Sequence, residues 1–250
     1  MNQEEQIKKA AEIVSNAQKI VAFTGAGTSV ESGIPPFRGE GGIWNKYDPD
    51  SLDIDFYYNH TKDSWKVIRE VFYNFFNNND IKPNKGHYVL AKWEDEGRLM
   101  SVITQNIDNL HAIAGSKTIY EFHGNSARFV CTKCGTKIKS NKVEISEEPP
   151  VCKKCGGLLK PDFIFFGEGI PQDAYFNSVQ AAKHSDVFII VGTSGQVSPA
   201  NMIPGVAKSH GATIIEINRE PSAYTDRITD IYIEGKSGEI LDAIDGLIKR

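Results

Sequence analysis

The chain has 250 residues, 40% hydrophobic and 24% charged, which is ordinary for a globular protein and enough for one large domain with a smaller insertion. The formal net charge of -4 gives no basis for non-specific binding to nucleic acid or to a membrane surface. No apolar run approaches the roughly 20 residues that span a bilayer, and the N-terminus is a charged amphipathic segment rather than a signal peptide, so we expect a cytoplasmic protein.

The first elements predict a helix, a strand and a phosphate-binding turn. Residues 4–18 carry apolar side chains at helical spacing, and the apolar run 20–23 is typical of a buried parallel strand. The strand leads directly into Gly25, Ala26 and Gly27, where bare backbone can approach a ligand closely. A doubly wound sheet meets the phosphates of a nucleotide in this way.

The segment after this turn differs from that of common dehydrogenases. Val30 stands at the third glycine position of G-x-G-x-x-G, and Pro35-Pro36 prevents a long helix directly after the turn. No acidic residue ends a convincing second strand about 20 residues further on. We therefore expect an irregular loop that ends in Phe37 and Arg38 and can fold over a bound dinucleotide.

Residues 40–84 interrupt the strand pattern and are rich in aromatic side chains. We expect this segment to be mostly helical and to pack on the main domain. Its aromatic residues include Trp44, Tyr47, Phe56, Tyr57, Tyr58, Trp65, Phe72, Tyr73, Phe75 and Phe76.

Beyond this insertion, short apolar runs alternate with helical stretches, which predicts a parallel, doubly wound sheet. The expected strands are residues 100–104, 118–122, 163–166, 187–192, 213–217 and 231–233, and the expected helices are residues 86–96, 173–185 and 203–210. The fold class is therefore α/β, a Rossmann-like sheet with a helical segment and a small zinc-binding module inserted. We divide the chain into a nucleotide-binding domain (1–39, 85–124 and 161–250), the helical insertion with its cofactor loop (40–84) and the zinc module (125–160).

The zinc expectation comes from the four cysteines, which form two C-x2-C pairs with 17 residues between Cys134 and Cys152. This spacing is typical of a tetrahedral four-cysteine zinc site, with two disulfides or a redox-active pair as the alternatives. Four sulfur ligands leave no open position, so the ion should be structural. Segment 125–160 has too few apolar residues for a core of its own, so a metal would have to hold it together. The expected ligands are Cys131, Cys134, Cys152 and Cys155.

Three more loops follow predicted strands, at the edge where an open α/β sheet binds its ligand. One carries Asn106 and Asp108, which can hold a carboxamide or ribose hydroxyls, although each alone is more often a turn residue or a helix cap. Another begins with His123, and a third begins with Gly192. An imidazole with an ordinary pKa of about 6.5 suits general-base chemistry at neutral pH, and we expect the other five histidines to be structural or solvated.

Together these segments resemble the sirtuins, NAD-dependent protein-lysine deacylases, over essentially the whole chain. Their order and spacing match the small bacterial and archaeal type. The matching segments are GAGTSVESGIPPFRG, TQNIDNLH followed by AG, HGN at 123–125, the four cysteines, FFGE at 165–168, VGTSGQVSPA from Val191, and IN at 217–218.

The resemblance implies an NAD site along the strand ends. Asn106 and Asp108 would hold the carboxamide of nicotinamide, and Arg38 and Gln105 would position the pyrophosphate and ribose. The implied NAD contacts are Gly25, Ala26, Gly27, Val30, Ile34, Phe37, Arg38, Gln105, Asn106, Ile107, Asp108, His123, Gly192, Thr193, Ser194, Asn218, Lys236 and Ser237.

The implied reaction removes an acetyl or other acyl group from a protein lysine, with His123, Asn106 and Asp108 as catalytic residues. The acyl oxygen attacks the ribose carbon that carries nicotinamide, and His123 acts as general base on the ribose hydroxyls. The products would be free lysine, nicotinamide and O-acetyl-ADP-ribose. An acetyl-lysine peptide would lie as an added strand between two loops. Its implied contacts are Ile164, Phe166, Gly167, Glu168, Gly195 and Val197.

The resemblance also bears on the acyl group. Sirtuins that prefer succinyl or malonyl lysine resemble one another in a Tyr and an Arg three residues apart, in the helix after the cofactor loop. The helix that contains Trp65 aligns Ile68 and Val71 with those positions, and neither side chain can bind an anion. We therefore expect uncharged acyl groups to be preferred, with acetyl first.

Two other functions stay open from the sequence. An NAD-dependent protein ADP-ribosyltransferase would use a protein side chain as acceptor, and only product analysis separates it from a deacylase. A zinc-ribbon nucleic-acid binder would use the lysines of the module, which we expect instead to form a solvated face, with no specific nucleic acid bound. These lysines are Lys133, Lys137, Lys139, Lys153 and Lys154.

Overall fold

A computed structural model of the chain describes residues 2–39, 41–74 and 81–248, so Phe75 and Phe76 of the helical insertion lie outside the described residues. The strands are β1 (Ile20–Thr24), β2 (Leu99–Thr104), β3 (Ile119–Glu121), β4 (Gly124–Cys131), β5 (Lys137–Lys139), β6 (Leu159–Phe163), β7 (Val187–Val191), β8 (Thr213–Asn218) and β9 (Ile231–Glu234).

The helices pack around these strands. They are α1 (Gln3–Asn16), α2 (Ile54–Asn59), α3 (Thr61–Ile68), α4 (Lys85–Asp95), α5 (Leu110–Ala114), α6 (Gln172–His184), α7 (Ile203–Ser209) and α8 (Ser237–Leu247). Short 3₁₀ helices cover Ala26–Ser32, Ile43–Asn45, Pro49–Leu52, Ser140–Lys142 and Ala200–Met202, and a π-helical turn covers Arg69–Asn74. Within the described ranges, the structure contains no helix with the length and apolar character that a membrane crossing needs.

The central sheet is parallel and doubly wound, as the sequence predicts. Its strand order is β3-β2-β1-β7-β8-β9, so the chain builds outward from β1 on one side and from β7 on the other. These two strands pair in parallel, with Phe23 opposite Ile190. The crevice beyond their carboxyl ends is the point at which a sheet of this kind binds its ligand.

Both faces of the sheet are covered, which explains the continuous apolar runs of its strands. In β1, Ile20 and Ala22 belong to the core that α1, α4 and α8 close. Val21 and Phe23 belong to the opposite core, which α6 and α7 close. All four side chains are fully buried.

A second, antiparallel sheet holds β4 between β5 and β6, and it corrects one predicted strand. Residues 163–166 do not form a strand of the main sheet. Phe163 ends β6, and the chain then crosses to other partners: the Ile164 amide donates to the His123 carbonyl (2.9 Å) and the Phe166 amide to the Leu52 carbonyl (2.9 Å). The apolar run predicted burial correctly but not the sheet, because hydrophobicity does not specify the backbone partner.

The helical insertion and the small sheet share one core. Trp65, Tyr73 and Phe129 pack ring against ring, and the Trp65 indole donates to the Ser146 carbonyl (3.0 Å). Within residues 41–74 the insertion is built mostly from short helices, in agreement with that part of the prediction for residues 40–84. The antiparallel pairing runs from Gly124 to residue 163, beyond both predicted limits of the zinc module, and the division into domains stays a prediction.

The turns after β1 and β7 are in close contact, and their glycines explain it. The Gly25 amide donates to the Val191 carbonyl (2.9 Å) and the Gly27 amide to the Gly192 carbonyl (2.8 Å). Gly192 has φ +62°, and a Cβ there would lie 2.3 Å from the Thr28 nitrogen. The lack of side chains at these glycines first allows one turn to pack on the other. The sequence analysis explained the glycines only by the close approach of a ligand.

Replacing Gly192 with Ala tests this packing. Gly211→Ala is the control. Gly211 also has a left-handed backbone (φ +93°), but a Cβ added there would have no neighbouring atom within 4 Å. Both variants should lose about 1–2 kcal/mol from the left-handed conformation, and Gly192→Ala should lose more because the new methyl group meets backbone. Thermal unfolding measures the difference, and equal losses of Tm would contradict the proposed contact.

Candidate active site

A cavity of about 880 Å³ lies at the carboxyl edge of the central sheet, beside the turns that follow β1 and β7. Its volume is within the range of small-molecule and cofactor sites. The predicted NAD contacts that line it are Gly25, Ala26, Gly27, Val30, Phe37, Arg38, Gln105, Asn106, His123, Gly192, Thr193, Ser194, Asn218, Lys236 and Ser237.

Three of the predicted NAD contacts do not line this cavity. Ile107 lies on a neighbouring cavity, and Ile34 is buried below the loop, where its amide lies 3.3 Å from the Ser29 carbonyl. Asp108 lies behind Asn106 and accepts a hydrogen bond from the Ser29 hydroxyl (2.7 Å). Burial raises the pKa of Asp108, against the lowering effect of bonds from the Leu110 amide and Ser29.

The side-chain amide of Asn106 is held from the inside of the protein. Its Nδ2 donates to the Gly25 carbonyl (3.0 Å) and to the Ser29 hydroxyl (3.2 Å). Its backbone amide donates to the Thr104 hydroxyl (3.0 Å). Ser29 therefore links Asp108 to Asn106. Asp108 reaches the cavity only indirectly, because it orients Ser29, which in turn holds the side chain of Asn106.

A second cavity of about 200 Å³ adjoins the first and has mostly aromatic and aliphatic walls. Ile164, Phe166, Gly167, Glu168 and Val197, all predicted peptide contacts, line it. Gly195 lines neither cavity: it has φ +71°, and a Cβ there would lie 2.7 Å from the Tyr224 ring. Further apolar walls that the sequence analysis did not assign to a site are Trp44, Leu52, Phe72, Phe163, Phe165, Ile170 and Pro199.

His123 lies where the two cavities meet, since it lines both of them together with Phe37, Arg38, Gln105 and Val197. Its Nδ1 is 3.1 Å from the Gln105 carbonyl oxygen. A carbonyl only accepts hydrogen bonds, so we assign the proton of the neutral ring to Nδ1, which leaves the lone pair of Nε2 free. Burial lowers the pKa of His123, partly offset by the bond to Gln105, so the ring is neutral at pH 7.

The four cysteines converge on one point of the small sheet. Their Sγ atoms all lie within 4.8 Å of one another, close to the separation of about 3.8 Å that tetrahedral Zn–S bonds of about 2.3 Å would give. The two turns match: the Gly135 amide donates to the Cys131 carbonyl (2.9 Å) and the Gly156 amide to the Cys152 carbonyl (2.8 Å). The donor set fits one structural zinc ion, with no position left for a reacting water.

Comparison with known proteins identifies the family. The sequence model of the Sir2 family matches residues 25–199. The chain belongs to the Sir2 family. It is 44% identical over 244 residues to NAD-dependent protein deacylase 2 of Pyrobaculum aerophilum, across 96% of this chain and 95% of that protein. It is 41% identical to the NAD-dependent protein deacylase of Aeropyrum pernix, across 96% of each.

Solved Sir2 structures agree with this assignment. One, described as the structural basis for the mechanism and regulation of Sir2 enzymes, matches with a TM-score of 0.88 and 41% identity over 99% of both chains. A Sir2 complex with a p53 peptide and NAD+ matches with a TM-score of 0.87 and 32% identity, over 97% of this chain and 99% of the other. The resemblance to the sirtuins is confirmed.

The large cavity of this Sir2-family chain also has charged walls that the sequence analysis did not name. Arg219 and Glu220 directly follow Asn218 at the end of β8, so the rule for strand ends could have found them. Glu31 accepts a hydrogen bond from the Gly238 amide (2.6 Å) at the start of α8. No local pattern reveals a contact between residues so far apart in sequence.

The other five histidines of this Sir2-family chain line neither of the two cavities. His60, His184 and His210 are exposed. His87 and His111 are buried with ring centroids 4.7 Å apart, and burial lowers the pKa of both. His111 lies 2.9 Å from the Thr24 hydroxyl at the end of β1, so this pair packs behind the site.

The zinc assignment predicts that the metal is needed for folding of the module rather than for chemistry. Structural zinc contributes on the order of 10–16 kcal/mol in small peptides, so Cys131→Ala should release the ion and lower Tm, with activity lost indirectly. Elemental analysis and thermal unfolding measure both effects. Lys154→Ala, an exposed change beside a ligand, should keep one zinc per chain. Fully active wild-type protein with far less than one zinc per chain would contradict the assignment.

Proposed function

We propose that this chain is an NAD-dependent protein-lysine deacylase. The observation that supports this function most strongly is the position of His123 at the junction of a dinucleotide-sized cavity and an apolar cavity. Relatives that match 96% of the chain are named NAD-dependent protein deacylases, which favours deacylation over transfer of ADP-ribose to a protein side chain.

The large cavity would hold NAD. Arg38, Arg219 and Lys236 line it and offer positive charge for the pyrophosphate. The nicotinamide end would lie near Asn106, whose Oδ1 is left to accept from a carboxamide because Nδ2 is held by protein oxygens. Asp108 would act here by fixing Ser29 and thus Asn106.

When bound, NAD supplies a ribose carbon activated by its nicotinamide leaving group, and the acyl oxygen of lysine is the nucleophile. His123 would then accept a proton from a ribose hydroxyl at Nε2. The Gln105 carbonyl holds Nδ1, so the ring would face the ligand with its basic nitrogen, Nε2. This is the geometry of a general base that is neutral at the working pH.

The peptide would be an acetyl-lysine segment of a protein, extended across the mouth of the second cavity. Both backbone groups of Phe166 are occupied, because its amide donates to Leu52 and its carbonyl accepts from Ile54. The Glu168 amide is also occupied, because it donates to the Phe165 carbonyl (3.0 Å). Main-chain pairing with the substrate would therefore use Gly167 and the Glu168 carbonyl on one side and the segment around Val197 on the other. Phe166 would contribute its ring, which is 41% exposed.

Two further proposals concern organisation and location. The chain would consist of the nucleotide-binding domain, the helical insertion and the zinc module with the predicted limits. Four cysteines arranged as metal ligands suit a reducing compartment, which supports a cytoplasmic protein.

The function is tested by incubation of the protein with NAD and an acetyl-lysine peptide, followed by mass spectrometry. We expect equal amounts of free-lysine peptide, nicotinamide and O-acetyl-ADP-ribose, and no product without NAD. A peptide that gains ADP-ribose and keeps its acetyl group would support the transferase instead.

His123→Ala should reduce deacylation by about 10²- to 10⁴-fold, the usual contribution of a positioned base. Exchange of nicotinamide should suffer less, since it requires only the earlier step. His210→Ala, at an exposed histidine, is the matched control and should match wild type. A His123→Ala enzyme with near wild-type deacylation would exclude His123 as the base.

The same residue predicts a pH dependence. His123 must be neutral to accept a proton, and its pKa in the folded protein is lowered below the ordinary 6.5. Deacylation should therefore persist as pH falls to 6.5 and be lost only below it. A profile of kcat/KM over roughly pH 5 to 8 measures this, and an acid limb centred above 6.5 would contradict it.

The second cavity predicts a preference for uncharged acyl groups. Ile68 and Val71, aligned with anion-binding positions in the sequence analysis, are buried in the core and do not line it, so the walls of this cavity come from other side chains. Phe72 does line it, beside Leu52 and Phe163. Arg38 also lines this cavity, but it is assigned to the pyrophosphate of NAD, so a carboxylate among the apolar side chains would lose its hydration without a partner of its own. Acetyl-lysine should exceed succinyl-lysine in kcat/KM, and the reverse order would overturn the prediction.

A further inference from the structure

Lys160, in β6, is a buried cation that the proposed mechanism does not use. It is 5% exposed, and lysine is almost never buried unless it is paired. Its Nζ donates to the Phe163 carbonyl (2.9 Å) and to Glu168 Oε2 (2.9 Å), and it lies 4.5 Å from the centre of the Phe165 ring. All three partners belong to one short stretch of chain, residues 163–168.

These contacts close that stretch on itself. The Glu168 oxygen that receives Lys160 also accepts a hydrogen bond from the Phe165 amide (3.0 Å). The Glu168 amide donates to the Phe165 carbonyl (3.0 Å). Lys160 and Glu168 thus hold the two ends of a tight loop, which we call the wall loop (residues 163–168).

The wall loop forms one side of the second cavity, and every one of its residues lines that cavity, whereas Lys160 does not. The same loop reaches the proposed base, since the Ile164 amide donates to the His123 carbonyl (2.9 Å). Its outer edge carries Gly167 and Glu168, the proposed partners of the peptide backbone. A change in loop shape would therefore affect the peptide before it affects NAD.

We propose that Lys160 is a positioning residue for the acyl-peptide substrate: its buried ammonium holds the wall loop in the shape that the peptide requires. The proposal rests on the proposed deacylase function. It assigns to Lys160 an effect on peptide capture and little effect on NAD, because the contacts of its ammonium lie on the peptide side of His123.

The positive charge of Lys160, and not only its hydrocarbon stem, is required to hold the wall loop. Without the ammonium, Glu168 Oε2 and the Phe163 carbonyl would lose a donor in a place with little access to water. Three charged groups face Lys160: Glu168, Asp162 and Lys137. Asp162 is already paired with Arg128 (2.9 Å) and Lys137 (3.0 Å), so Glu168 is the acid that Lys160 contacts directly.

The test is steady-state kinetics of Lys160→Met, which keeps most of the stem and removes the charge. We expect KM for an acetyl-lysine peptide to rise at least about tenfold, since a charge-assisted bond is lost. The Kd for NAD, measured without peptide, should stay within about twofold. Lys139→Met, at an exposed lysine of the same small sheet, should change neither value. An unchanged peptide KM, or equal losses for peptide and NAD, would overturn the proposal.

A second readout separates charge from packing. Burial lowers the pKa of Lys160 below the ordinary 10.5, against the raising effect of Glu168. The lysine is charged below its pKa, so peptide KM should rise as pH climbs through a value under 10.5. In Lys160→Arg this rise should be absent, because guanidinium keeps its proton. The peptide should carry blocked termini and no other titratable side chain.

Identical alkaline profiles for wild type and Lys160→Arg would contradict the proposal, and this holds even if Lys160→Met fails to fold. The underlying function is tested separately. A wild-type enzyme that gives no acyl-ADP-ribose would refute the deacylase assignment. An active wild-type enzyme whose Lys160→Met variant keeps the same peptide KM would refute only the role of Lys160.

Discussion

The site depends on the contact between the turn after β1 and the turn after β7. Two backbone hydrogen bonds, from Gly25 to Val191 and from Gly27 to Gly192, join the turns at the point where the strand order of the sheet reverses. No side chain fits between them, because a Cβ on Gly192 would meet the Thr28 nitrogen at 2.3 Å. The large cavity opens beside this contact, and the loops that continue from both turns form its sides.

A second constraint fixes His123 from several directions. The Gln105 carbonyl holds Nδ1, and the Ile164 amide holds the backbone carbonyl of the histidine. Gly124 follows with φ +73°, and a Cβ there would lie 2.2 Å from the Asp162 carbonyl oxygen. The ring is therefore placed by the loop after β2, by the start of β4 and by the wall loop together. This explains why a change in the wall loop, with Lys160 beneath it, can reach the proposed chemistry.

Much of the fold follows from the sequence, because its parallel strands are buried on both faces and appear as continuous apolar runs such as Ile20–Thr24. The strand ends then indicated where Asn106, His123 and Thr193 would come together. The cysteine spacing predicted a cluster whose four Sγ atoms lie within 4.8 Å of one another.

The sequence analysis misses contacts where a residue's partner is distant in sequence or where the backbone conformation determines the structure. The run 163–166 looked like a central strand, yet its amides pair with His123 and Leu52. Glu31 contacts the start of α8, which is specified by tertiary packing alone. Gly195 was assigned to the peptide cleft by resemblance, and that assignment stays a prediction; its left-handed φ and the nearby Tyr224 ring account for the glycine.

The central claim is that both ligands meet at His123. A crystal structure with an acetyl-lysine peptide and a carbocyclic NAD analogue, which cannot release nicotinamide, tests it most directly. The account predicts the acetyl group in the apolar cavity and a ribose hydroxyl about 2.6–3.2 Å from His123 Nε2. An acetyl group bound elsewhere, or a ribose beyond reach of that nitrogen, would contradict it.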